Sequence, residues 1–201
     1  GMAAPNYRKR WLQRFGFFTP PELNKDTIWL HAVSVGETLA AVPLVKALQT
    51  KYPDHRLLIT CMTPTGSERI TAAFGDSVDH SYAPYDTPDA VARFLRRVQP
   101  KMLIIRETEL WPNTVAGCYK RQIPVILANG RLSEKSARGY GRVPGLSAPM
   151  LGQLTAVAAQ HGDDGARFTE LGLSAKNLYI TGNIKFDLDL SAEVRQSAEA
   201  L

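Results

Sequence analysis

Four short segments of this sequence gather residue types able to hold an anion or move a proton. The first is Ser34-Val35-Gly36-Glu37, which follows an apolar run. A small residue and a glycine let the backbone turn tightly there, and a following helix presents its first N–H groups at the turn. Glu37 falls in the first helical turn. A carboxylate in that place either complements the helix dipole or serves as a general base. No second glycine stands at dinucleotide spacing, which argues against a nicotinamide site. The second segment is Thr63-Pro64-Thr65-Gly66-Ser67-Glu68. Thr65 and Glu68 fit a capping box; alternatively Thr63, Thr65, Gly66 and Ser67 form a helix mouth for a phosphate or carboxylate.

The third segment is Glu107-Thr108-Glu109-Leu110-Trp111-Pro112. Two carboxylates one residue apart at a strand's end are costly to bury unpaired, so they are either solvated loop residues or a functional pair. No His or further Asp accompanies them locally, so a metal reading is weak. The fourth is Asn129-Gly130-Arg131-Leu132-Ser133. Arg131 suits bidentate recognition of phosphate or carboxylate, and Ser133 suits a helix cap. Gly182-Asn183-Ile184-Lys185-Phe186-Asp187 reads as a loop by composition. Of the histidines, His31 lies inside a strand and reads as a satisfied core residue. His55, His80 and His161 are scattered, and no Ser-His-Asp or Cys-His order emerges.

These segments need elements to position them. Apolar runs at 28–33, 56–61, 78–82, 102–106, 124–129, 155–159 and 178–181 read as strands. Helical periodicity or helix-start residues follow at 37–51, 63–74, 88–98, 111–121, 133–142, 145–153 and 162–172. Pro43 should kink or delay its helix. Asp86 or Thr87, followed by Pro88, should start the third. Strands that are apolar almost throughout, alternating with helices, predict an α/β fold: a Rossmann-like parallel sheet with helices on both faces. Such a sheet binds ligands beyond the carboxyl ends of its strands, where all four segments fall.

With 201 residues, 44% hydrophobic, the chain suffices for one sizeable core. Cys61 and Cys118 lie in apolar periodic segments and are expected as buried thiols. The net charge of +5 is uneven. Residues 1–27 carry Arg8, Lys9, Arg10, Arg14 and Lys25 against Glu22 and Asp26. Within that stretch Trp11, Phe15 and Phe18 share a helical face. Such a segment can lie in a bilayer interface rich in anionic lipid, or dock on the domain by the same aromatics. No run reaches the roughly 18 apolar residues that span a bilayer. The Gly1-Met2 start is expected to be a scar of tag removal, with the natural start upstream.

The segments, in this order, resemble the Kdo (3-deoxy-D-manno-octulosonic acid) transferases of lipopolysaccharide synthesis. The strings that carry the resemblance are Trp29-Leu30-His31-Ala32-Val33-Ser34-Val35-Gly36-Glu37, Met62–Arg69, Glu107–Asn113, Asn129–Ser133 and Gly182–Asp187. Arg106 and Gly130 depart from the commonest pattern, where an apolar residue and Ala are usual. The resemblance implies a GT-B fold, of which this chain is the N-terminal, acceptor-side half. It divides as 1–26 (basic and aromatic, membrane-proximal), 27–187 (the Rossmann-like domain) and 188–201 (a linker toward a C-terminal domain).

The implied reaction moves Kdo from CMP-Kdo to a lipid A precursor at the cytoplasmic face of the bacterial inner membrane. The chain would be peripheral there, or held by a removed anchor helix. By the same resemblance Glu37 is the general base, Glu107 and Glu109 stabilise charge or orient the acceptor, and Ser34, Gly36, Thr63, Thr65, Gly66, Ser67, Arg131 and Ser133 hold substrate. No cofactor, metal or nucleic-acid partner is implied. The isolated half is expected to be inactive without the donor domain. Two other readings stand beside this one: a noncatalytic α/β module binding an anionic glycolipid, and a GT-B transferase using another nucleotide sugar.

Overall fold

A computed structural model describes residues 10–18, 20, 25–32 and 41–183. Seven strands form one sheet: Thr27–His31 (β1), Arg56–Cys61 (β2), Asp79–Tyr82 (β3), Pro100–Arg106 (β4), Val125–Gly130 (β5), Ala156–Ala159 (β6) and Leu178–Ile180 (β7). All pairings are parallel, in the order β3-β2-β1-β4-β5-β6-β7. The chain steps outward from β1 to β3, crosses back to β4, and steps outward the other way. The order therefore reverses between β1 and β4, the switch point at whose carboxyl ends sheets of this topology have their ligand crevice. The seven strands expected from apolar runs are all present, displaced by a residue or two.

The connecting helices are Val42–Lys51 (α1), Pro64–Phe74 (α2), Pro88–Val98 (α3), Pro112–Tyr119 (α4), Glu134–Gly141 (α5), Pro144–Gly152 (α6) and Gly162–Glu170 (α7). Strand side chains alternate between two cores, as the pleat requires. Ile28, Leu30 and Ile59 meet Val45, Leu48 and Ile70 of α1 and α2 on one face. Trp29, Leu58, Leu103 and Ile105 meet Phe94, Val115, Met150 and Phe168 on the other. Both faces are thus covered. Cys61 and Cys118 are buried free thiols, which burial holds at pKa values of about 11 and about 12.

Pro43 delays its helix, as expected: α1 starts at Val42, with Pro43 in its first turn and no kink. Two local expectations are amended. The cap of α2 is Thr63, whose Oγ1 accepts the Gly66 N–H at 3.0 Å; Thr65 already lies inside the helix. Thr87 is the residue before α3 but makes no side-chain cap bond. The neighbouring Asp86 instead caps α4: its carboxylate accepts the N–H groups of Asn113 (3.0 Å) and Thr114 (2.7 Å) and the Thr114 hydroxyl (2.8 Å).

The N-terminal stretch docks on this frame through a 3-10 turn, Trp11–Phe15. It closes on Gly16 at φ 81, where an added Cβ would sit 2.9 Å from Phe94 N and closer still to the Ala90 carbonyl. Only glycine permits both that dihedral and that approach to α3.

Candidate functional site

Strand β1 delivers His31 to the carboxyl edge beside the crevice, in register with Thr60 of β2 and Ile105 of β4. Ser34, Gly36 and Glu37 follow directly but lie outside the described residues. His31 is 3% exposed. Its Nδ1 is 2.9 Å from Thr60 Oγ1, which also accepts the Trp29 indole N–H at 2.8 Å. Desolvation lowers the His31 pKa to about 4, so the ring is neutral near pH 7. Its other nitrogen, Nε2, is buried with no hydrogen-bond partner among the described residues. The expected satisfied core histidine is therefore half satisfied.

The β4 turn stands next to it. Glu107 turns the chain with φ 57 and Asn129, at the end of β5, does so with φ 59. Asn tolerates the left-handed region; a Glu held there is uncommon, and such backbone gathers at functional sites. The Thr108 hydroxyl and backbone of Arg131 bond reciprocally, fastening this turn to the next. Trp111 N–H points to Glu109 Oε2 at 3.4 Å. The Trp111 ring packs edge-on to His31, centroids 4.7 Å apart. Burial, together with the charge of Glu109, raises the pKa of Tyr140 on α5. His31, Trp111, Glu109 and Tyr140 thus converge over β1, β4 and β5. Arg106, at the end of β4, is fully buried.

The mouth of α2 is built differently. Gly66 lies so close to β2 that an added Cβ would meet Cys61 atoms at 3.3 Å. The Ser67 hydroxyl is 2.8 Å from His80 Nε2, and Arg10 also bonds to it. His80 Nδ1 donates to the Ile59 carbonyl at 2.9 Å, which leaves Nε2 as the acceptor for the Ser67 proton. Burial lowers the His80 pKa to about 4, against the opposing Ile59 bond and with help from Arg10. Arg10 and Arg14 stack over the Tyr82 ring at 4.7 and 4.1 Å, and Arg14 donates to the Met62 carbonyl at 2.9 Å. Of the four candidates at this mouth, Thr65 alone presents an exposed hydroxyl.

At β5 the Arg131 side chain is exposed. Ser133 caps α5 by accepting the Ser136 N–H at 3.2 Å, as the sequence suggested. Asp164 of α7 braces the turn, accepting the Leu132 N–H at 2.8 Å. The carboxyl edge thus brings Glu107, Glu109 and Arg131 together, while Thr63, Ser67 and Ser133 spend their side chains on the fold. Reading from sequence missed Asp86, His80 and Trp111 as parts of this edge. Trp111 alone left a signal, a ring next to paired carboxylates.

The family model for 3-deoxy-D-manno-octulosonic-acid transferase (kdotransferase) matches residues 9–188. The Kdo transferase of Haemophilus influenzae is 44% identical over 98% of this chain and 47% of that protein. The Bordetella pertussis enzyme is 37% identical over 81% of this chain and 38% of that protein. The chain thus spans about half the length of the curated relatives it matches. Among solved structures, the UDP-GlcNAc 2-epimerase from Neisseria meningitidis superposes with TM-score 0.60, at 11% identity, over 87% of this chain and 53% of that chain. A second UDP-N-acetylglucosamine 2-epimerase gives TM-score 0.57 at 16% identity, over 80% of this chain and 49% of that one. Those two show the fold alone, that of the N-terminal half of a GT-B enzyme. With a seven-stranded switch-point sheet of this kind and a family match running over residues 9–188, the chain belongs to the 3-deoxy-D-manno-octulosonic-acid transferases, a family of glycosyltransferases.

Proposed function

We propose that this chain is the acceptor-side half of a glycosyltransferase that moves Kdo from CMP-Kdo to a sugar hydroxyl of the lipid A precursor lipid IVA. The observation that carries the reading is the family match over residues 9–188, supported by Thr63–Ser67, Glu107–Glu109 and Arg131, which follow β2, β4 and β5. Transfer breaks the bond between the Kdo anomeric carbon and the cytidylate oxygen, and CMP leaves with the electron pair. Cytidylate is a good leaving group, so a strong general acid is not required. The attacking hydroxyl must lose its proton as the new bond forms, and Glu37, in the segment after β1, is the carboxylate assigned to take it. The anomeric centre becomes cationic on the way. Glu107 and Glu109, one strand over, supply negative charge or orient the acceptor. Arg131 and the α2 mouth, through Thr65, hold anionic groups of the acceptor. On this reading the other half of the transferase supplies the donor side of the cleft, and the residues of this chain serve the acceptor.

The same reading places the chain at the cytoplasmic face of the bacterial inner membrane. Trp11 (54% exposed), Leu12 (67%), Phe15 and Phe17 form an apolar patch, and Arg93 and Arg97 stack over the Phe17 ring at 4.5 and 5.5 Å. An apolar patch rimmed by arginines suits an anionic bilayer surface. Arg10 and Arg14 are spent on Tyr82, so Arg93 and Arg97 take the place the sequence gave to them.

The test uses the whole transferase with Glu37→Gln and follows Kdo transfer to a lipid A precursor together with CMP release. A loss of about 100-fold or more is expected. Near-normal turnover would remove Glu37 as the base. Acceptor binding with no transfer by the unaltered enzyme would favour a noncatalytic glycolipid module.

A further inference from the structure

A cavity of about 800 Å³ at the amino ends of the strands is lined by Lys25, Arg56, Arg96, Arg97, Lys101 and Arg121. Helices α3 and α4 end there, and Arg96 and Arg97 sit in the last turn of α3. Cations at helix carboxyl ends complement the helix dipole, and Arg56 and Lys101 pair with Asp79 and Asp26, so the fold accounts for most of that charge. His31 is different, because the fold leaves one of its atoms without a role.

Thr60 is fully buried, and its Oγ1 accepts the Trp29 N–H at 2.8 Å. The Thr60 proton needs an acceptor of its own. Among the described residues, His31 Nδ1 at 2.9 Å is the one in place. With Nδ1 accepting, a neutral imidazole carries its proton on Nε2. That N–H is a buried donor with no partner among the described residues. Such groups are few in native proteins and each costs about 1–3 kcal/mol. This one stands at the β1/β4 reversal, with the Trp111 ring packed edge-on to it and Glu109 bonded to the far side of that indole.

We propose that His31 is a substrate-binding donor: its Nε2–H holds a hydroxyl oxygen of the acceptor sugar at the β1/β4 switch point. The proposal rests on the reading of function above and adds a residue to it. The Nε2–H of a neutral imidazole is an uncharged donor and calls for no anionic partner, so a sugar hydroxyl oxygen suits it. A hydroxyl can also accept from His31 while donating to a carboxylate, which none of the acceptor's anionic groups can do. Nε2 is buried, and rotation of the half-exposed Trp111 ring packed against it would admit the oxygen.

The experiment compares His31→Gln and His31→Asn in the whole transferase. Gln carries an N–H where Nε2 lies; Asn reaches only as far as Nδ1. His31→Asn is expected to lower kcat/KM for the acceptor about tenfold, with the KM for CMP-Kdo unmoved. His31→Gln is expected to stay within about threefold of the unaltered enzyme. An unchanged acceptor kcat/KM in His31→Asn overturns the proposal. So does an equal loss in both variants, or a loss shared with the donor KM, since each marks a structural role. Should His31→Asn not fold, the Nε2–H resonance of the ¹⁵N-histidine-labelled unaltered enzyme decides. A downfield shift on adding lipid IVA supports the proposal, and no shift overturns it. Absence of transfer by the unaltered enzyme instead overturns the reading of function beneath it.

Discussion

His31, buried, and His80, half-buried, are neutral near pH 7, each with a pKa lowered to about 4 from an ordinary 6.5. In the unfolded chain both accept a proton as pH falls through 6.5; in the folded chain they do not until about 4. The unfolded state therefore binds more protons between those values, and stability falls as pH drops from 6.5 toward 4. For His31 the loss between pH 7 and pH 5 is on the order of 2 kcal/mol. Denaturant unfolding at the two pH values should show that loss, and His31→Gln should shrink it by a comparable amount. His80 is less enclosed, so its share is smaller. At the same edge, Glu109→Gln removes the charge that helps hold the Tyr140 pKa up. Spectrophotometric titration of Tyr140 should then find it lower than in the unaltered chain, with burial alone still holding it above the ordinary tyrosine value.

At the scale of elements, Asp86 ties the loop after β3 to the start of α4, and hence to Trp111, the residue preceding that helix. Replacing Asp86 by Ala strands two backbone N–H groups and a buried hydroxyl. The expected cost is about 2–3 kcal/mol in urea unfolding, above an ordinary cap because three bonds are lost together. Thr63→Ala removes one bond at the mouth of α2 and should cost about 1 kcal/mol. Both helices begin beside the crevice, so a kinetic loss in Asp86→Ala larger than in Thr63→Ala would fit the position of Trp111 against His31.

At the scale of the whole molecule, the described residues form a sheet with the candidate site at its carboxyl edge and an aromatic corner beside it. The corner is held by Gly16, by Arg10 and Arg14 on Tyr82, and by the Arg93 bond to the Phe15 carbonyl. Among the described residues no helix is long and apolar enough to cross a membrane. Contact with a bilayer through this corner would depend on its exposed side chains. Changing Trp11, Leu12, Phe15 and Phe17 together to Ser should reduce co-sedimentation with anionic vesicles about tenfold or more, since each buried apolar side chain contributes about 1.5–3 kcal/mol. Binding by the unaltered chain should weaken as salt rises, because exposed arginines are screened within about 10 Å at 0.1 M. Equal binding by both proteins would remove the corner from any membrane role.

Strand count, parallel pairing and the burial of both sheet faces were legible in the sequence, because a strand covered on two sides must be apolar at nearly every position. The order of chemistry-bearing segments was legible for the same reason: each directly follows an apolar run. Ser133 was readable as a cap because its partner lies three residues on. What depends on distant partners was not readable. Asp86 sits two residues before Pro88 and looks like that helix's cap, yet the fold presents it to α4. Ser67 looks free for a ligand until Arg10 and His80 arrive from 57 residues before it and 13 after it. His31, in its apolar strand, reads as ordinary core. Only the register that sets Thr60 against its Nδ1, and the packing that seals Nε2 without a described partner, shows that one nitrogen is spent and the other is not. Sequence determines which residues stand at the ends of strands, through local periodicity; tertiary structure alone decides which of those residues still have a hydrogen bond to give.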